Sequence, residues 1–301
     1  MTVLDERNRT APTPGRDQRR TELAQFLKAC RSRVTPEAVG LPPGIRRRTP
    51  GLRREEVAQL SGVGVTWYTW LEQGRPINAS EQVLDAVART LRLDHTERDH
   101  LFRLAGLTPA AAAEPCPVLD PAIQVILDQL APLPAGVFNH RYDLLRHNAG
   151  YDALFPAATR PRLPSGRRNS MWCAFTAPEC CSPFLNRDEE LPRMVAVLRG
   201  AYGRHVGEPA WEEYIRDLSA ASPLFTELWA RQEVGPPRTS RKVFRHAAVG
   251  VLHFQASYLT LPAAPETYLV VYTPESDQDR ERMEYVTANP SSPVPAGHVC
   301  A

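Results

Sequence analysis

The sequence predicts two different domains in series, an all-α domain followed by an α+β domain. The chain has 301 residues, about twice the usual length of one domain. Apolar residues recur at helical spacing in its first hundred residues, whereas alternating, β-branched runs mark its last third. Between these parts, residues 107–117 (LTPAAAAEPCP) have the Pro/Ala composition of a linker.

The composition excludes several classes of protein. Hydrophobic residues make up 43% and charged residues 23% of the chain, which are ordinary values for a globular protein. No apolar run approaches the ~18 residues that a membrane-spanning helix requires. The first twenty residues also lack the apolar core of a secretory signal. We therefore expect a soluble, cytoplasmic protein with no membrane partner.

Residues 16–106 are predicted to form the all-α domain, after a disordered tail over residues 1–15. The first helix is predicted from apolar residues that share one helix face: Leu23, Phe26, Leu27 and Cys30. Two later helices are predicted from their N-terminal caps, which are Ser80 for one and Asp94 with Glu97 for the other.

Residues 53–74, RREEVAQLSGVGVTWYTWLEQG, predict two short helices joined by a tight turn at Gly62. Ala58 is small where the helices would cross, and Tyr68 and Leu71 supply the buried side of the second helix. This is a helix-turn-helix arrangement, in which the second helix enters the major groove of DNA. The predicted DNA-binding residues on and just after that helix are Val65, Thr66, Thr69, Trp70, Gln73 and Arg75.

Arginines are concentrated just before this motif. Residues 16–106 carry 16 basic and 11 acidic side chains, although the net charge of the whole chain is only +2. Arginines beside a helix-turn-helix are expected to contact phosphates or to enter a minor groove, and a solvated basic loop is the alternative. The predicted DNA-binding arginines are Arg46, Arg47, Arg48, Arg53 and Arg54.

Longer stretches of the sequence resemble a known family. The pattern E-x-V-A-x-x-x-G-V-x-x-x-x-Y-x-x-L-E-x-G resembles the XRE-type, lambda-repressor-like helix-turn-helix. With RRRTPGLRREEVAQL, ASPLFTELWARQEV, KVFRHAAVGVLHFQ and YLVVYT, the chain resembles the MmyB-like transcriptional regulators of actinobacteria. The resemblance implies a C-terminal PAS-like domain that binds a small apolar or fatty-acyl-like ligand. The chain departs from the family pattern at Gly64, commonly a serine, where a side-chain cap is lost.

The α+β, PAS-like domain is predicted over residues 118–285, before a flexible tail over residues 286–301. Its predicted extended runs are residues 136–140, 142–147, 242–246, 249–260 and 267–273. Helical stretches are predicted between the early and the late runs, at residues 149–155, 171–175, 191–205, 209–220 and 223–232. They predict helices inserted between strands of one sheet. Asn148 resembles an asparagine that recurs in the family, and we expect it to tie the second strand to the next helix.

A PAS-like sheet with helices folded across it encloses an apolar pocket. The predicted ligand-binding residues are Phe138, Leu145, Trp172, Phe175, Trp229, Phe244, Phe254 and Tyr258. A filled core is the alternative for each of these side chains. If all of them filled a core, the protein would be a DNA-binding scaffold that senses no ligand.

No catalytic or metal-binding motif is recognisable in the sequence. It has no H-E-x-x-H, G-x-S-x-G, Walker A or Rossmann glycine pattern, and its six cysteines form no C-x-x-C pair. We therefore predict no catalytic residue, no metal and no cofactor, which disfavours an enzyme with an attached helix-turn-helix. Cys173, Cys180 and Cys181 leave open the alternative of a thiol redox sensor.

These observations together predict a sequence-specific transcriptional regulator. Helix-turn-helix proteins bind operators with two-fold symmetry, so we expect a homodimer on double-stranded DNA. The resemblance favours a repressor whose operator affinity is modulated by the ligand in its second domain. We expect such a protein in the cytoplasm, associated with the nucleoid.

Overall fold

The computed structural model describes residues 14–42, 51–107, 119–156, 168–177, 182, 184–262, 264 and 266–289. The chain divides into two compact units. The first comprises residues 1–111 and 202–216, and the second comprises residues 112–201 and 217–301. The prediction of an all-α domain followed by an α+β domain is confirmed. In the part of the chain that is described, no helix is long and apolar enough to cross a membrane.

The first unit contains the helices of the predicted all-α domain. They are α1 (Pro14–Arg33), α2 (Arg54–Ser61), α3 (Val65–Glu72), α4 (Glu81–Thr90) and α5 (His95–Leu104), with a 3₁₀ turn at Glu37–Val39. The apolar face predicted for α1 is buried, since Phe26 and Leu27 have no exposed surface. Apolar side chains from the other helices and from the segment before α2 complete this core, including Leu52, Val57, Tyr68, Leu84 and Leu101.

The predicted helix caps are present. The Ser80 hydroxyl accepts a hydrogen bond from the Val83 amide at 3.4 Å. Asp94 accepts one from the Glu97 amide at 2.9 Å, and the Glu97 carboxylate accepts one from the Asp94 amide at 3.1 Å. Each bond satisfies an amide that the first turn of a helix would leave without a partner. These local bonds explain why the helix starts were visible in the sequence.

The second unit contains a five-stranded antiparallel sheet. Its strands are β1 (Ala135–Asn139), β2 (Leu144–His147), β3 (Ser240–His246), β4 (Gly250–Thr260) and β5 (Thr267–Pro274), in the order β2-β1-β5-β4-β3. The remaining helices of the chain are α6 (Ala122–Gln129), α7 (Ala149–Leu154), α8 (Ser170–Thr176), α9 (Arg187–His205), α10 (Pro209–Ala221), α11 (Pro223–Ala230) and α12 (Asp277–Ala288). Five of them lie between β2 and β3 in the chain, as the sequence predicted.

The two faces of the sheet carry separate apolar clusters. Phe138, Phe254 and Val270 belong to the larger cluster, which also takes in side chains of α7 and α12. Val137 alternates with Phe138 along β1 and packs with Leu127 of α6 on the other side. Because successive side chains of a strand point to opposite faces, this alternation assigns each residue to one cluster. The larger cluster borders the pocket described below.

Asn148 ties the edge of the sheet to α7, as expected from the sequence. Its side-chain oxygen accepts hydrogen bonds from the amides of Ala135 and Tyr151, both at 3.0 Å. Its side-chain nitrogen donates to the carbonyls of Leu127 at 3.0 Å and Leu133 at 2.9 Å. The side chain is 2% exposed, so its hydrogen-bonding capacity is used inside the protein.

Two helices differ from the sequence prediction. Helix α9 begins at Arg187 rather than Leu191, because three acidic residues in its first turn stabilise the positive end of the helix ahead of Pro192. Helix α12 was not predicted, and it extends past the expected domain end at residue 285. Its buried apolar residues are only Met283 and Val286, which is too sparse a pattern to show a helical period.

Candidate DNA interface and ligand pocket

Helices α2 and α3 form the predicted helix-turn-helix. Gly62 has a φ angle of 68°, a left-handed conformation that glycine adopts without strain. The Val63 amide donates to the Ala58 carbonyl at 2.9 Å and closes the turn. Ala58 and Tyr68 have no exposed surface, and Leu71 has 3%. The two helices are therefore held together by the small and apolar residues that the sequence singled out.

The opposite side of α3 is open to solvent. Val65 is 43% exposed and Trp70 is 41% exposed, which is unusual for side chains so apolar. Thr66, Gln73 and Arg75 are exposed and Thr69 is half-buried, so the predicted DNA-binding residues lie along one face of the helix and its end. The Arg75 guanidinium lies 5.9 Å from the Trp70 ring centroid and extends this surface. We call these six residues the α3 face.

Glu72 holds two arginines from other helices. Its carboxylate accepts hydrogen bonds from Arg31 Nε at 2.7 Å and Arg31 Nη2 at 2.8 Å, in the bidentate geometry that suits a guanidinium. It also accepts one from Arg54 Nε at 3.0 Å. Burial raises the pKa of Glu72, but the Arg31 hydrogen bonds and the charges of Arg31 and Arg54 outweigh burial and leave that pKa below its ordinary value. Glu72 and Arg31 were not predicted from the sequence, because they lie 41 residues apart in the chain.

The other predicted DNA-binding arginines lie at the start of α2 or before it. The Arg54 side chain is 41% exposed, so part of its guanidinium stays open to solvent beside the α3 face. Arg53 is exposed, and its backbone amide donates to Glu56 Oε2 at 2.7 Å. The remaining predicted arginines, Arg46, Arg47 and Arg48, lie outside the described residues.

A pocket opens in the second unit against one face of the sheet. Its empty space, including the open mouth, is about 600 Å³. Much of its wall is aromatic, with Phe138, Tyr151, Phe155, Tyr258, Tyr268 and Tyr272 among the lining residues. One end is polar, because Lys242 of β3 lines it and contacts the carboxylate of Glu190.

The structure brings only two of the eight predicted ligand-binding residues to this pocket, Phe138 and Tyr258. Phe244 and Phe254 lie behind the wall, with ring centroids 5.6 Å and 6.3 Å from that of Tyr272. The other four do not line the pocket. Leu145 packs on the opposite face of the sheet, Phe175 contacts Phe225, Trp229 lies 3.7 Å from the Arg199 guanidinium, and Trp172 is half-buried in α8.

The cysteines of the alternative redox hypothesis are only partly described. Cys173 is a half-buried thiol that lines the pocket. Cys180 and Cys181 lie outside the described residues. Among the described residues, no three His, Cys, Asp or Glu side chains form a group that could hold a metal ion.

Comparison with known families places both sites in recognised domains. A family described as "MmyB-like transcription regulator ligand binding domain" matches residues 119–284, which contain the pocket. A family described as "Helix-turn-helix domain" matches residues 22–101, which contain the α3 face. No curated protein matches the chain. The two matched families are DNA-binding and ligand-binding regulatory domains, which are not enzymatic.

Proposed function

The chain belongs to the MmyB-like transcription regulators, and from that premise we propose that it is a repressor released from its operator by a small, largely apolar ligand. A DNA-binding domain joined to a ligand-binding domain makes the protein a ligand-responsive regulator of transcription. Repression, the apolar nature of the ligand and a homodimeric state are our proposals. We propose that the protein acts in the cytoplasm, bound to DNA of the nucleoid.

The single observation that carries the DNA-binding half is the α3 face. It presents the Val65 and Thr66 methyl groups and the Trp70 ring to solvent on the helix that enters the major groove in such motifs. Apolar groups of this kind contact the methyl group of thymine. Arg54 and Arg53 at the start of α2 supply cations for phosphates at the groove edge, and the proposal gives Arg46–Arg48 the same role.

The ligand-binding half rests on the pocket in the second unit. A ligand that binds one conformation of the dimer better than the other shifts operator affinity by its difference in binding free energy. Two-fold symmetry of the operator then requires two copies of α3 about one helical turn of DNA apart. The resemblance noted in the sequence implies a fatty-acyl-like ligand, which is one candidate for the pocket.

Two measurements on the full-length protein test this proposal. Selection from random DNA should enrich a palindromic site, and native mass spectrometry before and after denaturation should show a dimer that loses a small molecule. A random pool left unenriched, or an enriched site without two-fold symmetry, would contradict the operator model. A reporter gene downstream of the enriched site should be derepressed when the gene for this protein is deleted.

A thiol redox sensor remains the second proposal, because Cys173 lies in the pocket wall. Under this alternative, peroxide abolishes operator binding and reductant restores it. A variant with serine at Cys173, Cys180 and Cys181 should then no longer respond to peroxide. A normal peroxide response in this triple variant would end the redox proposal.

A further inference from the structure

The pocket wall is mainly aromatic. Eight of the fourteen described residues that line it are aromatic, whereas its described aliphatic surface comes from Ala174, Met194 and Val270. The rings form a connected set, with Phe138 stacked on Tyr268 at a centroid distance of 6.0 Å and Tyr151 in contact with Phe155 at 4.8 Å. Aromatic rings gain most from offset-stacked or edge-to-face contact with another ring. The wall therefore favours a flat, aromatic occupant.

Tyr272 offers this occupant a hydrogen bond. Its hydroxyl has no hydrogen-bond partner among the residues that the structure describes. Burial raises the pKa of this phenol well above its ordinary value, so it stays protonated and able to donate. The side chain nevertheless keeps accessible surface, and it lines the pocket. A ligand oxygen in the pocket would give this donor a partner.

The polar end of the pocket carries excess positive charge. Lys242 is 4% exposed and contacts Glu190, which has no exposed surface and also pairs with Arg193. One carboxylate thus faces two cations. An ammonium has three N–H donors, and Glu190 is the only described partner of Lys242, so donors remain for a ligand. An anionic oxygen at this end would balance the second cation.

We infer that the ligand is a planar aromatic molecule with an acidic oxygen, such as a hydroxyaryl carboxylate or a phenolate. Its rings pack among the aromatic walls, its acidic oxygen accepts hydrogen bonds from Lys242, and a second oxygen accepts one from Tyr272. This inference rests on the proposed function, since it names the ligand class of the same pocket. It differs from that proposal in replacing an acyl chain by an aromatic ring system.

Titration calorimetry with three probes tests the ligand class on ligand-free, full-length protein. The probes are 1-hydroxy-2-naphthoate, decanoate as an aliphatic anion, and 2-acetyl-1-naphthol as a neutral aromatic. We expect the naphthoate to bind at least about tenfold more tightly than either of the others, since a hydrogen bond to a charged group is stronger than one between neutral groups. Decanoate binding more tightly would overturn the aromatic inference and leave a ligand-responsive regulator standing. Absence of binding by all three probes would also overturn the aromatic inference. The proposed function is tested separately, by the selection of an operator from random DNA.

Variants locate the bound probe. Tyr272→Phe should weaken naphthoate binding by about five- to tenfold, the value of one hydrogen bond, and leave decanoate binding unchanged. Tyr285→Phe is the matched control, because that side chain is 55% exposed on α12. Lys242→Met leaves Glu190 paired with Arg193, so this end of the pocket becomes neutral. Lys242→Met should bind the naphthoate and the neutral naphthol equally, and a retained preference for the anion would contradict the assigned orientation.

Discussion

At the scale of single residues, Glu72 connects both helices of the helix-turn-helix with α1. It sits at the C-terminal end of α3 and joins that helix to α1 through Arg31 and to α2 through Arg54. Arg31 also donates to the Leu52 carbonyl at 2.7 Å, which fastens the segment just before α2. One carboxylate therefore orients the recognition helix and restrains an arginine at the edge of the DNA-binding surface.

Glu72→Gln should lower the free energy of unfolding by about 3 kcal/mol. The substitution removes the buried negative charge that pairs with the guanidinium groups of Arg31 and Arg54. Urea unfolding measures this loss, with Glu37→Gln as the exposed control. The folded-state pKa of Glu72 is lowered, so its contribution is full above its unfolded pKa of 4.5 and disappears as pH falls through the lower folded value. The difference between the variant and the parent should therefore shrink below about pH 4. A pH-independent difference would contradict this assignment.

Arg54→Ala should weaken operator binding by about 1–3 kcal/mol, if Arg54 contacts a base. If it contacts a phosphate instead, binding should weaken on all sequences and the slope of log affinity against log salt should fall by about one. Titrations of operator and random DNA at several salt concentrations separate these cases. The control is Arg89→Ala, which removes an exposed arginine from α4. Unchanged titrations for Arg54→Ala would remove Arg54 from the interface.

At the scale of elements, Asn148 shows how hydrogen bonds join a strand to a helix in addition to their apolar contacts. Its four hydrogen bonds reach β1, α7, the carbonyl of Leu127 in α6 and the loop after α6. Three elements and a loop therefore depend on one buried amide. The same residue is the N-cap of α7, so its loss would also release the first turn of that helix.

Asn148→Ala should lower the free energy of unfolding by about 3 kcal/mol, because it leaves two amides and the Leu133 carbonyl without partners at roughly 1 kcal/mol each, while the Leu127 carbonyl keeps its bond from the Leu130 amide. Thermal or urea unfolding measures the change. Asn289→Ala, an exposed residue after α12, is the matched control. A loss as small as that of the control would mean that water replaces the amide.

At the scale of the whole molecule, the net charge of +2 is an average of two unlike parts. Residues 16–106 carry an excess of five positive charges, whereas residues 107–301 carry 18 basic and 21 acidic side chains. The positive excess coincides with the segment that holds the α3 face. Phosphate contacts from this part should give operator binding a steep dependence on salt, although the chain as a whole is almost neutral.

Removal of the ligand should tighten operator binding. A repressor released by its ligand prefers the ligand-free conformation on DNA, and couplings of this kind are about 1–3 kcal/mol, or roughly 5- to 150-fold in affinity. Operator titrations before and after ligand removal by denaturation and refolding measure the change. Adding the released small molecule back should restore the weaker binding, which controls for damage on refolding. Tighter binding in the presence of the ligand would instead make it a co-repressor.

The secondary structure of both domains and the helix-turn-helix were determined by local patterns in the sequence. The helix starts at Ser80 and Asp94, the turn at Gly62 and the open side of α3 follow from residues within a few positions of one another. The strands of the sheet were visible for the same reason, because alternation is a local pattern. Helix caps and apolar periodicity depend on residues that are close together in the chain. They can therefore be recognised from the sequence alone.

The site chemistry was decided only by the tertiary structure. Arg31 and Glu72 are 41 residues apart in the chain, and Lys242 and Glu190 are 52 apart, so no local pattern reveals that either pair meets. The same holds for the pocket wall, where Phe244 and Phe254 proved to lie behind the lining while Tyr272 proved to be part of it. Strand order and helix packing select which apolar side chains fill the core and which border empty space. That selection depends on contacts between distant segments, which only the folded chain establishes.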